Sequence, residues 1–223
     1  MQEIRQFAGA TEAELWQQVA ADMARQPDLF SYSALLQQGG HSTELVLDID
    51  LGGGFEGGYS TTTLATAVPA GCPLRFALHD QNWMRELGKL LGMEDIELGY
   101  PALDETIVIK TNQPAMLRAL LQPDAIRATL RKYHEAELTL QPTDEEDAAA
   151  PLRLQFFHEA AILNPAELQE IYHLLFHQSI VDWTCRLKSK VLSLGGGMNL
   201  RYEARVYVKE GGKFCFSSHH ETI

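Results

Sequence analysis

Cysteine is scarce: Cys72, Cys185 and Cys215 are odd in number, widely spaced and without a Cys-x-x-Cys pair. That pattern excludes a disulfide framework and points to a reducing cytoplasm. Long apolar runs are missing as well. No stretch reaches the roughly 18 residues of a membrane-spanning helix. The start Met1-Gln2-Glu3-Ile4-Arg5 meets no apolar h-region, so no signal peptide is expected. Cations are in deficit: 18 Lys and Arg stand against 30 Asp and Glu, a formal charge of −12. Such a surface repels nucleic-acid phosphates and anionic lipids alike. The nearest approach to a basic stripe, Arg118, Arg127, Arg131 and Lys132, reads as the solvated faces of two adjacent helices. Neither nucleic acid nor membrane is therefore expected as a partner.

Catalytic signatures are also absent. There is no Gly-x-Ser-x-Gly elbow and no Gly-Lys-Ser/Thr phosphate loop. Cys72, between Gly71 and Pro73, has no basic neighbour to favour a thiolate, and His219-His220 lies near the end of the sequence.

What is present suffices for a core. The 223 residues are 45% hydrophobic and 22% charged, and a chain of this size buries roughly 70% of its unfolded surface. We expect a single domain over 1–223. Thr11 and Glu14 form a capping box ahead of Leu15, Trp16, Val19, Ala20 and Met23 at helical spacing, so an amphipathic helix is expected over 11–27. Residues 30–38 suggest a short helix ended by Gly39-Gly40. Alternation over 44–51 and β-branched content over 59–68 predict two strands joined by a glycine-rich connection. Further strands are expected at 74–79, 105–111, 136–140 and 152–158, the last two as an antiparallel pair across the acidic loop 143–150. Two more are expected at 199–208 and 213–217. Helices are expected after Asp80, after Asn112 and after Pro123. A long one over 165–192 starts at Asn164-Pro165-Ala166-Glu167, with a cap, a proline at the first helical position and an acid near the start. The fold class is α+β: a mostly antiparallel sheet built from hairpins and packed against several helices.

Three groups of residues invite a functional reading. On the long helix, Glu170, His173 and His177 share a face, and a Glu-x-x-His-x-x-x-His set has the spacing to ligate a divalent metal. A second copy of the motif, which a di-metal bundle requires, does not occur, and a solvated polar face accounts for the same residues. Asp48 and Asp50 share a strand face beside Gly54 and Gly57, a candidate ligand site, and Glu44 can join them. Gly52-Gly53-Gly54-Phe55-Glu56-Gly57 spells Gly-x-Gly-x-x-Gly, but a strand rather than a helix follows, so a hairpin loop is the plainer reading. Finally, Leu15, Trp16, Val19 and Met23 form an apolar face able to bind a partner or to self-associate.

The stretch Asp95-Ile96-Glu97-Leu98-Gly99-Tyr100-Pro101-Ala102-Leu103-Asp104, then Thr106 through Asn112 and the pair Leu120-Leu121, resembles a recurring pattern. In that pattern a Gly-Tyr-Pro turn leads to an apolar-Asp pair, a strand ending in Lys, Thr and Asn, and a helix with a Leu-Leu pair. With the Gly54–Gly58 hairpin, residues about 45–125 resemble a family of bacterial proteins of unknown function. The resemblance implies a shared α+β unit and transfers no catalytic residue.

Three functional readings follow. The first is a non-enzymatic, cytoplasmic binding or interaction module with a protein partner, a small ligand or a second copy of itself. The second is a metal-dependent hydrolase using the helix face with Glu170, His173 and His177, a divalent metal being its cofactor. The third is an acidic protein that caps a basic partner, as immunity proteins do, with Asp144 to Asp147 and the net charge as its motive.

Overall fold

A computed structural model describes residues 4–26, 30–52, 57–68, 72–80, 93–143 and 150–176, and the backbone of 206–210 and 213–217. The chain divides into two compact units, Met1–Cys185 and Arg186–Ile223, where the sequence reading expects one domain. The first unit runs β1 (Arg5–Ala8), α1 (Glu12–Met23), β2 (Ser31–Gln38), β3 (His41–Asp50), β4 (Tyr59–Val68) and β5 (Phe76–Asp80). It continues with β6 (Glu94–Asp95), α2 (Pro101–Asp104), β7 (Ile107–Thr111), α3 (Pro114–Leu120), α4 (Asp124–Lys132), β8 (Glu137–Pro142), β9 (Leu152–His158) and α5 (Pro165–Phe176). Among the described residues of the second unit are two antiparallel strands, β10 (Val206–Glu210) and β11 (Lys213–Ser217).

Strands β1 to β9 form one sheet in the order β1-β2-β3-β4-β9-β8-β5-β7-β6. Among the described strands only β1 and β2 pair in parallel, and α1 is the crossover that a parallel neighbour requires. Every other pairing is antiparallel. The α+β class and the mostly antiparallel sheet are as expected.

The core is written in cross-strand rows. One runs Ala34, Leu45, Leu64, Phe156, Leu138, Leu78 and Ile109, each opposite the next and all buried. The parallel row Leu36, Thr43, Thr66, Leu154, Leu140, Phe76 and Thr111 is buried too. Period-two alternation delivers both rows to one face, and burying each large apolar side chain stabilises by about 1.5–3 kcal/mol.

Helix α1 forms as its cap dictates. The Thr11 hydroxyl accepts from the Glu14 N–H at 3.2 Å, and the Glu14 carboxylate accepts from the Thr11 and Ala10 N–H groups at 3.3 and 3.1 Å. Gly9 just before it is obligatory, because a Cβ there would sit 2.8 Å from the Leu15 nitrogen. Helix α5 begins at Pro165 with the Asn164 side-chain oxygen, Oδ1, accepting from the Ala166 N–H at 3.0 Å. Residues 177–192 of the expected long helix, the helix expected after Asp80 and most of the acidic loop (144–149) lie outside the described residues.

Two expectations need correction. Residues 31–38 form strand β2, not a helix. Tyr32, Ala34 and Leu36 point inward at period two, and Gly39 (φ 56°) and Gly40 (φ 82°) close a tight hairpin with Gln38 opposite His41. Pairing with β1 and β3 on both sides overrides the local helical preference of Leu35 and Leu36. Nor does Asn112 cap α3. Its side-chain Oδ1 accepts from the Arg75 N–H at 2.8 Å and its Nδ2 donates to the Pro73 oxygen at 2.9 Å, tying the end of β7 to the approach to β5.

The Gly-Tyr-Pro pattern has a structural purpose. The Asp104 carboxylate accepts from three successive backbone N–H groups, Leu98 at 3.0 Å, Gly99 at 2.9 Å and Tyr100 at 2.8 Å. Gly99 takes φ 81°, a conformation costly for any residue with a Cβ. Pro101 opens α2, which returns Asp104 beneath the turn.

Candidate functional site

The end of β9 sits between two clefts. Its inward residues continue the core, and His158 stands opposite Thr62, which stands opposite Leu47 and then Tyr32. Phe157 and Glu159 alternate to the other side. The segment after β9 is pinned to β4. The Thr62 hydroxyl donates to the Ala160 oxygen at 2.7 Å and accepts from the Ile162 N–H at 2.8 Å, and the Ser60 hydroxyl accepts from the Ala161 N–H at 3.1 Å.

On the side of Phe157 and Glu159 lies a cleft of about 670 Å³, lined also by Ile49, Asp50, Leu51 and Tyr59. It opens where β3 ends and β4 begins. Leu51 is 72% exposed and Tyr59 55%. Phe30, 54% exposed, lies at the same end of the sheet, its carbonyl accepting from the Ile49 N–H at 2.8 Å. The charge here has one sign. Asp50 and Glu159 line the cleft, Asp48 accepts from the Tyr59 hydroxyl at 3.2 Å, and no Lys or Arg is among the described lining residues. The Asp48 carboxylate raises the Tyr59 pKa, since negative charge disfavours the phenolate.

On the opposite side, the end of α4, residues 133–135, His158 and the segment after β9 border an open cleft of about 470 Å³. Tyr133 and His158 meet there with ring centres 6.4 Å apart, and Tyr133 also packs edge-on against Phe156 at 5.9 Å. The His158 Nδ1 is buried without a hydrogen-bond partner among the described residues, and the buried Tyr133 hydroxyl interacts with the Lys132 side chain. Burial lowers the His158 pKa, against the weaker opposing pull of Glu135 and Glu159, and burial raises that of Tyr133. Burial thus favours the neutral form of both.

The residues singled out in the sequence fall elsewhere or into other work. The Glu170 carboxylate accepts from the Lys132 ammonium at 2.7 Å, and Glu167 lies 3.4 Å from the same group, so α5 is clamped to α4. His173 Nδ1 lies 3.0 Å from a Glu12 oxygen and Gln169 donates to the other at 3.0 Å, clamping α5 to α1. His177 lies outside the described residues, and no set of three metal-ligating side chains occurs among them. Leu15, Trp16, Val19 and Met23 are core residues rather than a partner surface: all four are buried, and Trp16 meets Tyr172 edge-on at 5.6 Å.

Asp50 lines a cleft, and Asp48 adjoins it through Tyr59. Asp50 accepts from the Gly52 N–H at 2.8 Å and Asp48 from Tyr59. Glu44 pairs instead with Arg153 at 2.8 Å. Gly54 lies outside the described residues, while Gly57 has open space around it. Strand β4 follows the glycines, as the hairpin reading expects.

Sequence reasoning missed Tyr133 and His158, and Leu51 and Tyr59 as an exposed pair. One signal for His158 was available. It follows Leu152, Leu154 and Phe156 at period two, so an ionisable ring occupies an inward position. Among the described residues, no helix is long and apolar enough to cross a membrane. Compared with family models, curated proteins and solved structures, the chain matches none.

Proposed function

We propose that the protein is a non-enzymatic binding module of the cytoplasm, whose acidic, apolar sheet end receives a cationic segment of a protein partner. The observation that carries this reading is the exposure of Leu51, Tyr59 and Phe30 at the sheet end bearing Asp48, Asp50 and Glu159. Removing such apolar area from water supplies about 25 cal/mol per Å². The surrounding carboxylates select a positively charged occupant and speed its approach. The net charge of −12 works in the same direction at longer range. A reducing compartment is supported by the sparse cysteines.

A titration of the isotopically labelled full chain tests this, with a peptide alternating Arg and Leu set against its Glu-for-Arg counterpart. Backbone resonances of Leu51, Tyr59 and Phe157 should shift with the Arg peptide only, and the affinity should fall as salt rises. Leu51→Asp should weaken binding by about tenfold, roughly 1.4 kcal/mol. An equal response to the acidic peptide, or shifts confined to other surfaces, rules the reading out. A chain that self-associates through this end at low salt would replace the cationic partner with a second copy.

A further inference from the structure

The sheet face beside the acidic cleft gives the docked segment a form, an inference that rests on the docking reading itself. Helices α1 and α5 pack on the buried rows of the sheet. The other face carries the alternate residues, which along β4 are Tyr59, Thr61, Thr63, Ala65 and Ala67. Thr63 lies between Val46 of β3 and Phe157 of β9, and Thr61 lies beside Asp48. Small hydroxyl side chains thus floor a trough, with Val46 and Asp48 along one wall and Phe157 and Glu159 along the other. Val46 is 37% exposed although it sits in the middle of its strand, and Thr61, Thr63 and Phe157 are half-buried.

The protein closes one end of this trough with its own cation. Glu44 stands opposite Ala65 and Arg153 opposite Ala67, and the two side chains meet across β4 at 2.8 Å. Ala65 is 3% exposed. Around Thr61 the charges are instead Asp48, Asp50 and Glu159, with no Lys or Arg among the described residues lining the cleft there. A partner's cations would complete at Thr61 what Arg153 completes at Ala67.

Width, length and backbone pairing fix the form of the occupant. Val46 and Phe157 lie two strand spacings apart, about 10 Å, which matches a helix with its side chains. From Tyr59 to Thr63 the floor runs roughly 14 Å, the length of about nine helical residues. Strands β3, β4 and β9 are each paired on both sides, so an extended segment laid here finds no ladder groups for its own N–H and C=O. A helix brings those bonds with it. We infer that the partner segment docks as an amphipathic helix along β4, its apolar side on Val46, Thr63 and Phe157 and its cations beside Asp48, Asp50 and Glu159.

Two peptides of equal length, composition and charge test this on the labelled full chain. One spaces its Leu residues three and four apart among Arg residues, and the other alternates Leu with Arg. The first should bind about tenfold tighter, gain helical circular dichroism on binding, and shift Val46 and Thr63 as well as Leu51 and Tyr59. Val46→Thr keeps the β-branch that favours a strand and should weaken the first peptide about fivefold. An alternating peptide that binds as well, moving Leu51 and Tyr59 while Val46 and Thr63 stay still, would overturn the helix and leave the docking itself standing. Binding of the first peptide without gain of helix would overturn it too, and so would a Val46→Thr chain that binds it unchanged. If neither peptide moves any of these resonances, the docking reading falls and the helix with it. The shifts are read on the unaltered chain, so the test holds even where the variant fails to fold.

Discussion

The two flanks of the sheet solve the same problem by different means. From β1 to β4 the strands β2 to β4 are long, regular and joined by tight or glycine-rich hairpins, and α1 and α5 lay continuous apolar stripes upon them. Surface pairs such as Glu12–His173 tie its helices together, and the buried Thr62 hydroxyl pins the segment after β9 to β4. From β5 to β6 the strands shrink to five and two residues, and α2 spans four. There the backbone turns too often for ladder bonds to reach every group. Side chains replace them: Asp104 for three N–H groups, Asn112 for the 73–75 segment, and Thr111, whose hydroxyl donates to the Arg75 oxygen at 2.8 Å. Regular elements are held by periodic burial, and irregular ones by a few specific polar atoms.

That contrast can be broken most forcefully where the flanks join. Phe156 stands between Leu64 and Leu138 in the central row and is 1% exposed. Phe156→Ala should cost about 3–5 kcal/mol, read as a lowered denaturation midpoint, and should loosen both flanks together. Asp104→Ala should cost roughly 2–3 kcal/mol, because it leaves three N–H groups without their charged acceptor. Amide exchange should then rise around residues 96–104 and stay unchanged in α1. Exchange spreading evenly over both flanks would erase the distinction between them. Thr11→Ala should remove about 1 kcal/mol through the lost cap, with fraying confined to the first turn of α1.

The smallest effect is pH-dependent and sits at the junction of β9 and α4. Burial depresses the His158 pKa, so below the ordinary histidine value of about 6.5 the unfolded chain binds more protons than the folded one. Stability present above that value should decline as the pH falls toward the depressed one. The groups around the imidazole are Tyr133, Glu135, Lys132 and His134 across the cleft and Glu159 beside it. His158→Gln should flatten the decline, as measured by urea midpoints at neutral and mildly acidic pH. A decline of the same steepness in the variant would assign it to other groups.

Much of the regular flank was legible in the residues. Strand β4 was expected over 59–68 and β9 over 152–158, and both lie there. The capping box at Thr11 and Glu14 and the Asn164-Pro165 start each formed where local chemistry placed them. In the irregular flank the strands expected at 74–79 and 105–111 lie close to β5 and β7, and helices follow Asn112 and Pro123 as expected. The turn before α2 was legible only as a motif. Nothing in Gly99-Tyr100-Pro101 announces that Asp104 folds back beneath it, since that bond joins residues brought together by the turn itself. The partners of the α5 face were hidden for a related reason. Helical spacing puts Glu170 and His173 on one face, but it cannot say that Lys132 and Glu12 will be waiting opposite them.

Residue pattern alone therefore decided what is local: caps, turns, the alternation that makes one face of each strand apolar, and the sign of the net charge. Interactions between a residue and its near neighbours in the chain suffice for these. Tertiary structure decided that 31–38 is a strand, because its hydrogen-bond partners come from β1 and β3. It also decided which face of α1 disappears into the core and which apolar side chains remain outside at Leu51 and Tyr59. Finally, it brought Tyr133 and His158 together across 25 residues of chain (158 − 133). Pairing and burial of this kind depend on segments distant in sequence, and those meet only when the sheet closes.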